Sequence, residues 1–120
     1  MRRFIVELGM GVDLHGQDAT KAAQRAVRSA VERNSLPGLR EVAGITDPGQ
    51  MVVDVTIAVP VAPEQVDMAA VLETLPYGQK TIRVVSGGML VSGGSVIKEL
   101  GDTSDAIVVA NACVTVSVPD

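Results

Sequence analysis

An aspartate and the only histidine of the chain stand two residues apart in a glycine-rich segment near the N-terminus. The segment reads Gly9-Met10-Gly11-Val12-Asp13-Leu14-His15-Gly16. A carboxylate and an imidazole at this spacing in a tight loop can act as acid and base, or can supply two ligands to a metal ion. Asp13 and His15 are therefore the candidate catalytic residues, and the candidate metal ligands if a metal is bound. The structural alternative is that both side chains hydrogen-bond loop amides and hold the turn.

The glycines of the same segment favour an anion-binding loop. The segment follows a predicted strand and enters a predicted helix, so its amides and the helix N-terminus can hold a negatively charged group. It is not a P-loop, because no Gly-Lys-Ser/Thr closes it. It is not a dinucleotide fingerprint either, because Leu14 stands where the third glycine belongs. The candidate ligand-binding residues of this loop are Gly9, Gly11 and Gly16.

A second glycine-rich segment repeats Ser-Gly-Gly at Ser86 and at Ser92. Paired glycines let a ligand approach the backbone closely, and successive amides can form an anion-binding nest. Two cations precede the segment and can pair with an anionic substrate. The alternatives are a glycine hairpin or bulged strand for the glycines, and solvated strand ends for the cations. The further candidate ligand-binding residues are Lys80, Arg83, Ser86, Gly87 and Gly88.

Three more side chains have both a chemical and a structural interpretation. Cys113 can serve as a nucleophile beside His15. Its place in a valine-rich strand favours a buried structural thiol instead. Glu7 and Asp54 can be catalytic carboxylates on the second face of a sheet, although a polar subunit interface is the simpler interpretation.

The composition limits the class of protein. A chain of 120 residues is one domain, 1–120, and its 21 valines against two aromatic residues indicate a sheet with an aliphatic core. The net charge of −4 comes without a basic stripe or an aromatic ladder, which argues against binding to nucleic acid. One cysteine is typical of a reducing compartment. No apolar stretch reaches the length of a membrane span or a signal peptide. We therefore expect a cytoplasmic protein without membrane association.

The hydrophobic pattern predicts the element order β-α-β-β-α-β-β. The clearest element is a helix over 19–34, where alanines and valines recur at three- and four-residue spacing and charged residues fall on the opposite side. A second helix is predicted over 63–75, after a proline suited to a first turn. Strands are predicted over 3–8, 39–46, 51–59, 81–86 and 106–118.

These elements predict an α+β two-layer sandwich with two helices on one face of a mixed sheet. The order is similar to the Bacillus chorismate mutase fold, which builds trimers with sites between subunits, and a ferredoxin-like arrangement is the alternative. The second face of the sheet would be half polar, so it is either wet or buried against another subunit. Its predicted members are Glu7, Asp54, Thr56, Arg83, Asn111 and Thr115. We therefore expect a homo-oligomer.

The first glycine segment resembles the GxGxDxHG signature of the conserved hypothetical lin-oh-five-twelve family, small bacterial proteins also found within longer plant proteins. The resemblance extends through the alanine-rich helix to Asn34-Ser35-Leu36-Pro37-Gly38, and the length fits the whole chain. The family has no established function. The resemblance implies that five residues matter without saying for what: Gly9, Gly11, Asp13, His15 and Gly16.

Two functions follow from these patterns. The first is a homo-oligomeric small-molecule enzyme or binding protein, in which His15 is the general acid or base. Asp13 orients it or helps to bind a metal ion, and loop amides hold an anionic group. Arg83 or Lys80, from the same or a neighbouring subunit, would add positive charge. The second is a non-catalytic scaffold or regulatory binding module in which the loop is structural. The sequence identifies no cofactor.

Overall fold

The computed structural model describes residues 1–120 as a mixed five-stranded sheet with helices on one face. The predicted α+β class is thereby confirmed. None of the helices is long and apolar enough to cross a membrane. The strands are β1 (Arg2–Asp13), β2 (Val52–Val59), β3 (Gln79–Ser86), β4 (Met89–Ser92) and β5 (Ala106–Val118). The helices are α1 (Ala19–Val31), α2 (Gly38–Glu41) and α3 (Met68–Leu72).

The valine-rich strand β5 is the centre of the sheet. The strand order is β1-β5-β2-β3, and β4 also pairs with β5. The pairs β1–β5, β2–β5 and β4–β5 are antiparallel, whereas β2 and β3 run parallel. A parallel pair needs a crossover connection, and the segment containing α3 supplies it. β5 is buried on its helix side because its alternate residues, Val108 to Val116, face the core.

Helix α1 lies unusually close to β1. Ala22 and Ala26 on its buried stripe have no solvent exposure. A Cβ atom built on Gly9 would lie 2.3 Å from the carbonyl oxygen of Ala26, and one on Gly11 would lie 2.1 Å from that of Ala22. These separations leave no room for a side chain. The two glycines and the alanine stripe therefore let the backbones of strand and helix approach each other.

The prediction that residues 9–16 form a loop is wrong for residues 9–13. β1 continues to Asp13, with Gly9 paired to Ala112 and Gly11 to Ala110 of β5. Glycine often indicates a turn, but in a strand it also marks a close approach of another backbone. Here the second role applies. The actual connection to α1 is therefore shorter, from Leu14 to Asp18.

The predicted strand over 39–46 is also wrong. The segment forms the short helix α2 followed by irregular backbone, and it pairs with no strand. Leu39, Val42 and Ile45 recur every third residue, which is not the alternation of a strand. Val42 is 84% exposed, so the apolar residues of this segment do not form one buried row. The fifth strand is instead β4, inside the second glycine segment.

The predicted helix over 63–75 is broken into two pieces. Pro63–Gln65 form a single 3-10 turn, and Val66 then returns to extended backbone. Asp67 begins α3 afresh by accepting a hydrogen bond from the amide of Ala70 at 3.1 Å. The break follows from Asp67, because a capping aspartate competes for backbone amides and favours a helix start over a helix interior.

The second face of the sheet carries no helix, as expected, but its membership differs. Glu7 was predicted there and instead lies on the helix side, where it is 6% exposed. On β1 the outward residues are Val6, Leu8 and Met10, which are 50%, 71% and 57% exposed. The larger apolar side chains of this part of β1 therefore face outward, because the side that faces α1 carries the glycines that allow its close approach. We call this uncovered surface the outer sheet face.

Candidate functional site

The carboxylate of Asp102 holds the loop after β1. Its Oδ2 atom lies 2.7 Å from Nδ1 of His15 and accepts from the amide of Ile97 at 2.9 Å. Its Oδ1 atom accepts from the amide of Gly16 at 2.7 Å and from Nε2 of Gln17 at 3.0 Å. The side chain has no solvent exposure. Four donors thus converge on one buried carboxylate.

This environment determines the protonation of Asp102. The amides of Ile97 and Gly16, then the imidazole of His15, hold the pKa of the Asp102 carboxyl well below its usual range, against the opposing effect of burial. The group is therefore ionised at neutral pH. An ionised carboxylate accepts hydrogen bonds only, so Nδ1 of His15 carries the proton.

The other ring nitrogen of His15 is free for chemistry. Nε2 makes no hydrogen bond within the chain, and the structure contains no buried side-chain nitrogen or oxygen without a partner. Nε2 is therefore accessible to solvent, consistent with a side chain that is 34% exposed. In the neutral ring this nitrogen has a lone pair. It can accept a proton or bind a metal ion, and the carboxylate behind the ring fixes its direction.

Gln17 ties the same loop to the segment before β5. Its backbone has φ of +50°, a conformation that side chains other than glycine rarely adopt. Its amide nitrogen also donates to the carbonyl of Ala106 at 2.9 Å, and its amide oxygen accepts from the amide of Thr103 at 3.0 Å. These contacts offset the backbone strain. His15 is thus held from two sides, by Asp102 and by the fixed loop.

Asp13 has a different role from the predicted one. Its Oδ1 atom lies 3.1 Å from a guanidinium nitrogen of Arg25, and its Oδ2 accepts from the amide of Asp18 at 2.8 Å. Asp18 in turn caps α1 by accepting from the amide of Lys21 at 3.1 Å. The start of the helix therefore already carries two carboxylates of the chain itself. Asp102, and not Asp13, is the residue that contacts His15.

His15 opens onto a cleft of about 640 Å³ beside the start of α1, which we call the His15 cleft. Two cations line it, Lys21 and Arg25, and its apolar part is formed by Val12, Leu14 and Leu100. Arg25 is half exposed although it pairs with Asp13. On the other side His15 borders a smaller cavity of about 190 Å³ lined by Gly93, Ser95 and Asp105 among others.

The second predicted set of ligand-binding residues is not brought to His15 within one chain. Lys80 and Arg83 lie on β3, separated from β1 by two strands. The ammonium group of Lys80 donates to the carbonyl of Leu75 at 2.6 Å, and Arg83 donates to the hydroxyl of Thr56 at 3.2 Å. Both lie outside the His15 cleft.

The first Ser-Gly-Gly is a bend that connects β3 to β4. The amide of Gly87 donates to the carbonyl of Val59 at 2.9 Å. Gly88 has φ of +66°, and a Cβ atom there would lie 2.2 Å from the carbonyl oxygen of Val109. Neither the His15 cleft nor the smaller cavity beside it is lined by Ser86, Gly87 or Gly88. The second Ser-Gly-Gly does reach the site, through Gly93.

Cys113 and Asp54 lie on the sheet away from the site. Cys113 is partly exposed, and its sulfur lies 3.9 Å from the hydroxyl of Thr115. It pairs with Leu8, well before the end of β1 where His15 follows, so it is not a nucleophile beside His15. Asp54 is exposed and accepts from the hydroxyl of Thr81.

Six residues of the site were not predicted from the sequence, and they come from the connection after β1, from α1 or from the segment before β5. They are Gln17, Lys21, Arg25, Ser95, Ile97 and Asp102. The one usable signal was Gly101-Asp102-Thr103-Ser104-Asp105, a polar cluster before a long apolar strand. No group of three or more His, Cys, Asp and Glu side chains is placed to hold a metal ion.

Comparison with other proteins gives a family but no activity. Residues 3–116 match the model of the Lin0512 family, which is described as conserved hypothetical proteins. This is the lin-oh-five-twelve family that the first glycine segment resembles. A crystal structure of an FtsZ-like protein of unknown function from Nostoc punctiforme is 50% identical to this chain. The match covers 99% of this chain and 97% of that one, with a TM-score of 0.88. No functionally curated protein is a significant match.

Proposed function

The chain belongs to the Lin0512 family of conserved hypothetical proteins, and from the contacts of His15 we propose that it is a small-molecule enzyme or binding protein for an anionic ligand. The observation that carries the proposal is the pairing of His15 Nδ1 with the fully buried carboxylate of Asp102 at 2.7 Å. A carboxylate behind an imidazole fixes the tautomer and orientation of the ring and stabilises the positive charge that develops on it during proton transfer. Such pairs therefore suit proton transfer at Nε2.

The charge of the His15 cleft favours an anionic ligand. Lys21 and Arg25 line it, and the carboxylate of Asp13, its one acid, is paired with Arg25. Protonated His15 adds a further positive charge. A carboxylate or phosphate group near Lys21 would place its neighbouring atoms within reach of Nε2. In this proposal His15 is the general acid or base, Asp102 is its positioning residue, and the cytoplasm is the compartment.

The proposal predicts saturable anion binding at His15 that depends on Lys21. Because the chain has one histidine, its imidazole signals in an NMR spectrum have a single origin. Inorganic phosphate and acetate serve as probes. We expect both to shift these signals saturably, and we expect Lys21→Ala to weaken binding roughly two- to fivefold, the effect of one exposed charge.

Arg40→Ala is the matched control, because it removes the same charge from α2, which does not line the cleft. Equal binding by wild type and Lys21→Ala, or equal losses in Lys21→Ala and Arg40→Ala, would contradict a specific anion site. Where a turnover is found, His15→Ala is expected to lower kcat about 10²- to 10⁴-fold, the usual contribution of a general acid or base.

A scaffold function is the second candidate, and the outer sheet face favours it. Val6, Leu8 and Met10 form an exposed apolar row on an edge strand. Contiguous exposed apolar surface is typical of an interface. In this function a second copy of the chain covers the row, and Asp102 only holds the loop. His15→Ala would then lower the melting temperature without changing ligand binding.

Self-association through this row predicts a charge-sensitive oligomer. Leu8→Glu buries a carboxylate in the interface and is expected to reduce the subunit number seen by native mass spectrometry. Val42→Glu is the matched control, since Val42 is 84% exposed and lies off the sheet. A monomeric wild type, or an oligomer that survives Leu8→Glu, would exclude this contact. The same spectra show whether the wild type retains a small molecule that His15→Ala loses.

A further inference from the structure

A further cavity lies at the opposite end of α1 from the two cavities that border His15. It has a volume of about 410 Å³, within the range of small-molecule sites. Val31 and Leu36 form one wall, Leu75 and Tyr77 another, and Val114 belongs to the strand beneath. Nine of its 14 lining residues are hydrophobic, so its surface is mostly apolar.

A buried carboxylate, that of Glu7, opens into this apolar space. Glu7 lines the cavity, and the residue is 6% exposed. Its Oε2 atom accepts from the side-chain amide of Asn34 at 2.5 Å, and that amide also donates to the carbonyl of Ala30 at 2.7 Å. Its Oε1 atom has no hydrogen bond within the chain. Since no buried side-chain oxygen lacks a partner, Oε1 is accessible from the cavity.

A carboxylate in this position is costly for folding alone. An apolar side chain at residue 7 would pack against the same wall without the loss of hydration that a charge suffers. The helix side of β1 also carries the glycines that admit α1, and Asp13, whose carboxylate pairs with Arg25 of α1. Glu7 has no such cation partner, and the one hydrogen bond of its carboxylate comes from the side-chain amide of Asn34. A polar group aimed into an apolar cavity is what fixes the orientation of a bound ligand.

The charges around the cavity select the sign of the ligand. Glu7 and Glu32 line it, and none of its lining residues is basic. Glu32 is exposed and pairs loosely with Arg28, at 3.8 Å. Lys80 donates to the carbonyl of Leu75 from outside the lining. Oε1 of Glu7 therefore faces the cavity without a cation of the chain itself.

We propose that this cavity binds a small organic cation, an alkyl- or arylammonium group whose ammonium contacts Glu7 and whose apolar body fills the space between Val31, Leu36 and Tyr77. The ammonium donates to Oε1 while Asn34 keeps Oε2 in place. The site is separate from the His15 cleft, with which it shares no lining residue. Its ligand is a cation, whereas the ligand proposed for the His15 cleft is an anion.

Three probes of matched length test the proposal: n-hexylamine, n-hexanol and hexanoate. Each is titrated into uniformly ¹⁵N-labelled protein at neutral pH while the amide signals are followed. We expect hexylammonium to shift the signals of Glu7, Asn34 and Tyr77 saturably. It should bind about tenfold or more tightly than hexanol, because a hydrogen bond to a charged group is stronger than a neutral one. Hexanoate is expected to bind most weakly at this cavity, and any shift that it causes at His15 reports the separate anion site.

Two variants separate the charge from the cavity. Glu7→Gln keeps the size of the side chain and is expected to remove the preference for hexylammonium over hexanol. Leu36→Trp, on the loop after α1, is expected to fill the cavity and weaken both probes. His15→Ala should leave both affinities unchanged. The proposal is wrong if hexanoate shifts the signals of Glu7, Asn34 and Tyr77 with the same affinity as hexylammonium, if no probe gives saturable shifts at the cavity, or if Leu36→Trp leaves hexylammonium binding intact.

Discussion

Gly11→Ala is expected to destabilise the protein by about 3 kcal/mol or more, the upper range for overpacking a core. The added methyl group would lie 2.1 Å from the carbonyl oxygen of Ala22 and 2.3 Å from the amide nitrogen of Ala26. Both are backbone atoms of α1, so no side chain can rotate away. The helix must shift off β1 and lose the contacts of its alanine stripe. For a domain of this size the melting temperature should fall by roughly 10 °C or more.

Gly49→Ala is the control for the added methyl group. At that position the new Cβ would lie 3.2 Å from a carboxylate oxygen of Asp47 and near no backbone of another element. The Asp47 side chain can move, so we expect a change within about 1 kcal/mol of zero. Ala22→Gly should not rescue Gly11→Ala, because the clash is with the Ala22 carbonyl rather than its methyl group. A Gly11→Ala protein that melts with the wild type would mean that α1 lies farther from β1 than the structure places it.

The helix and the central strand were predictable because their signals are local and repeated. Between Ala19 and Ala30 the buried positions recur at helical spacing, and each one agrees with the next. In β5 the alternation extends over 13 residues. Such patterns arise from one element facing one core, and no knowledge of its partners is needed to recognise them.

The structural role of Gly9 and Gly11 could not be predicted from their own segment. Glycine permits both a turn and a close approach of another backbone, so its presence alone does not show which of the two occurs. What decides between them is the alanine stripe of α1. Glycines two residues apart on a strand, followed by alanines four apart on a helix, indicate small residues on both sides of one contact. Read together, those two spacings predict a strand through Gly11.

The partner of His15 was beyond any local pattern. Asp102 lies 87 residues farther along the chain. It reaches His15 because β1 and β5 pair antiparallel, which places the segment before β5 beside the segment after β1. Asp13 is near in sequence, but Arg25 and the amide of Asp18 take its two oxygens. The histidine could be identified as a candidate, whereas its hydrogen-bond partner required the sheet register.

Replacing Asp102 is expected to have the largest effect on the site. Asp102→Ala leaves the amides of Ile97 and Gly16 without an acceptor in a buried place, and Nδ1 of His15 loses its partner. Asp102→Asn should also be severe although its shape is the same. An asparagine has one acceptor oxygen and an NH₂ group, so two of the four donors would face another donor. We expect both variants to melt well below the wild type and to release the loop at His15.

The same residue sets a pH dependence. The folded pKa of Asp102 lies below that of the unfolded chain, whose ordinary value is 3.8. Its contribution to stability is therefore complete at about pH 5 and above, and it is lost as the pH falls through the unfolded pKa toward the folded one. Asp105 and Asp120 also have lowered pKa values, through Ser92 and the N-terminal ammonium group, and add to the acid loss of the wild type. Asp105 and Asp120 are present in both wild type and Asp102→Asn. The pH dependence of the difference in stability between these two proteins therefore reports the titration of Asp102.

Thermal melts from pH 7 to pH 3 measure that difference. We expect the gap in melting temperature between wild type and Asp102→Asn to be widest at neutral pH and to narrow below pH 5. Protonation then removes the negative charge of Asp102 from the wild type, and the substitution has already removed that charge from the variant. Asp54→Asn is the matched control: its carboxylate is exposed on the outer sheet face, so its gap should be small at every pH. A gap for Asp102→Asn that stays constant down to pH 3 would mean that hydrogen-bond geometry, and not the charge of the carboxylate, holds His15 in place. His15 would then lack the anion that fixes its Nδ1 proton, and the case for Nε2 as a base would fail.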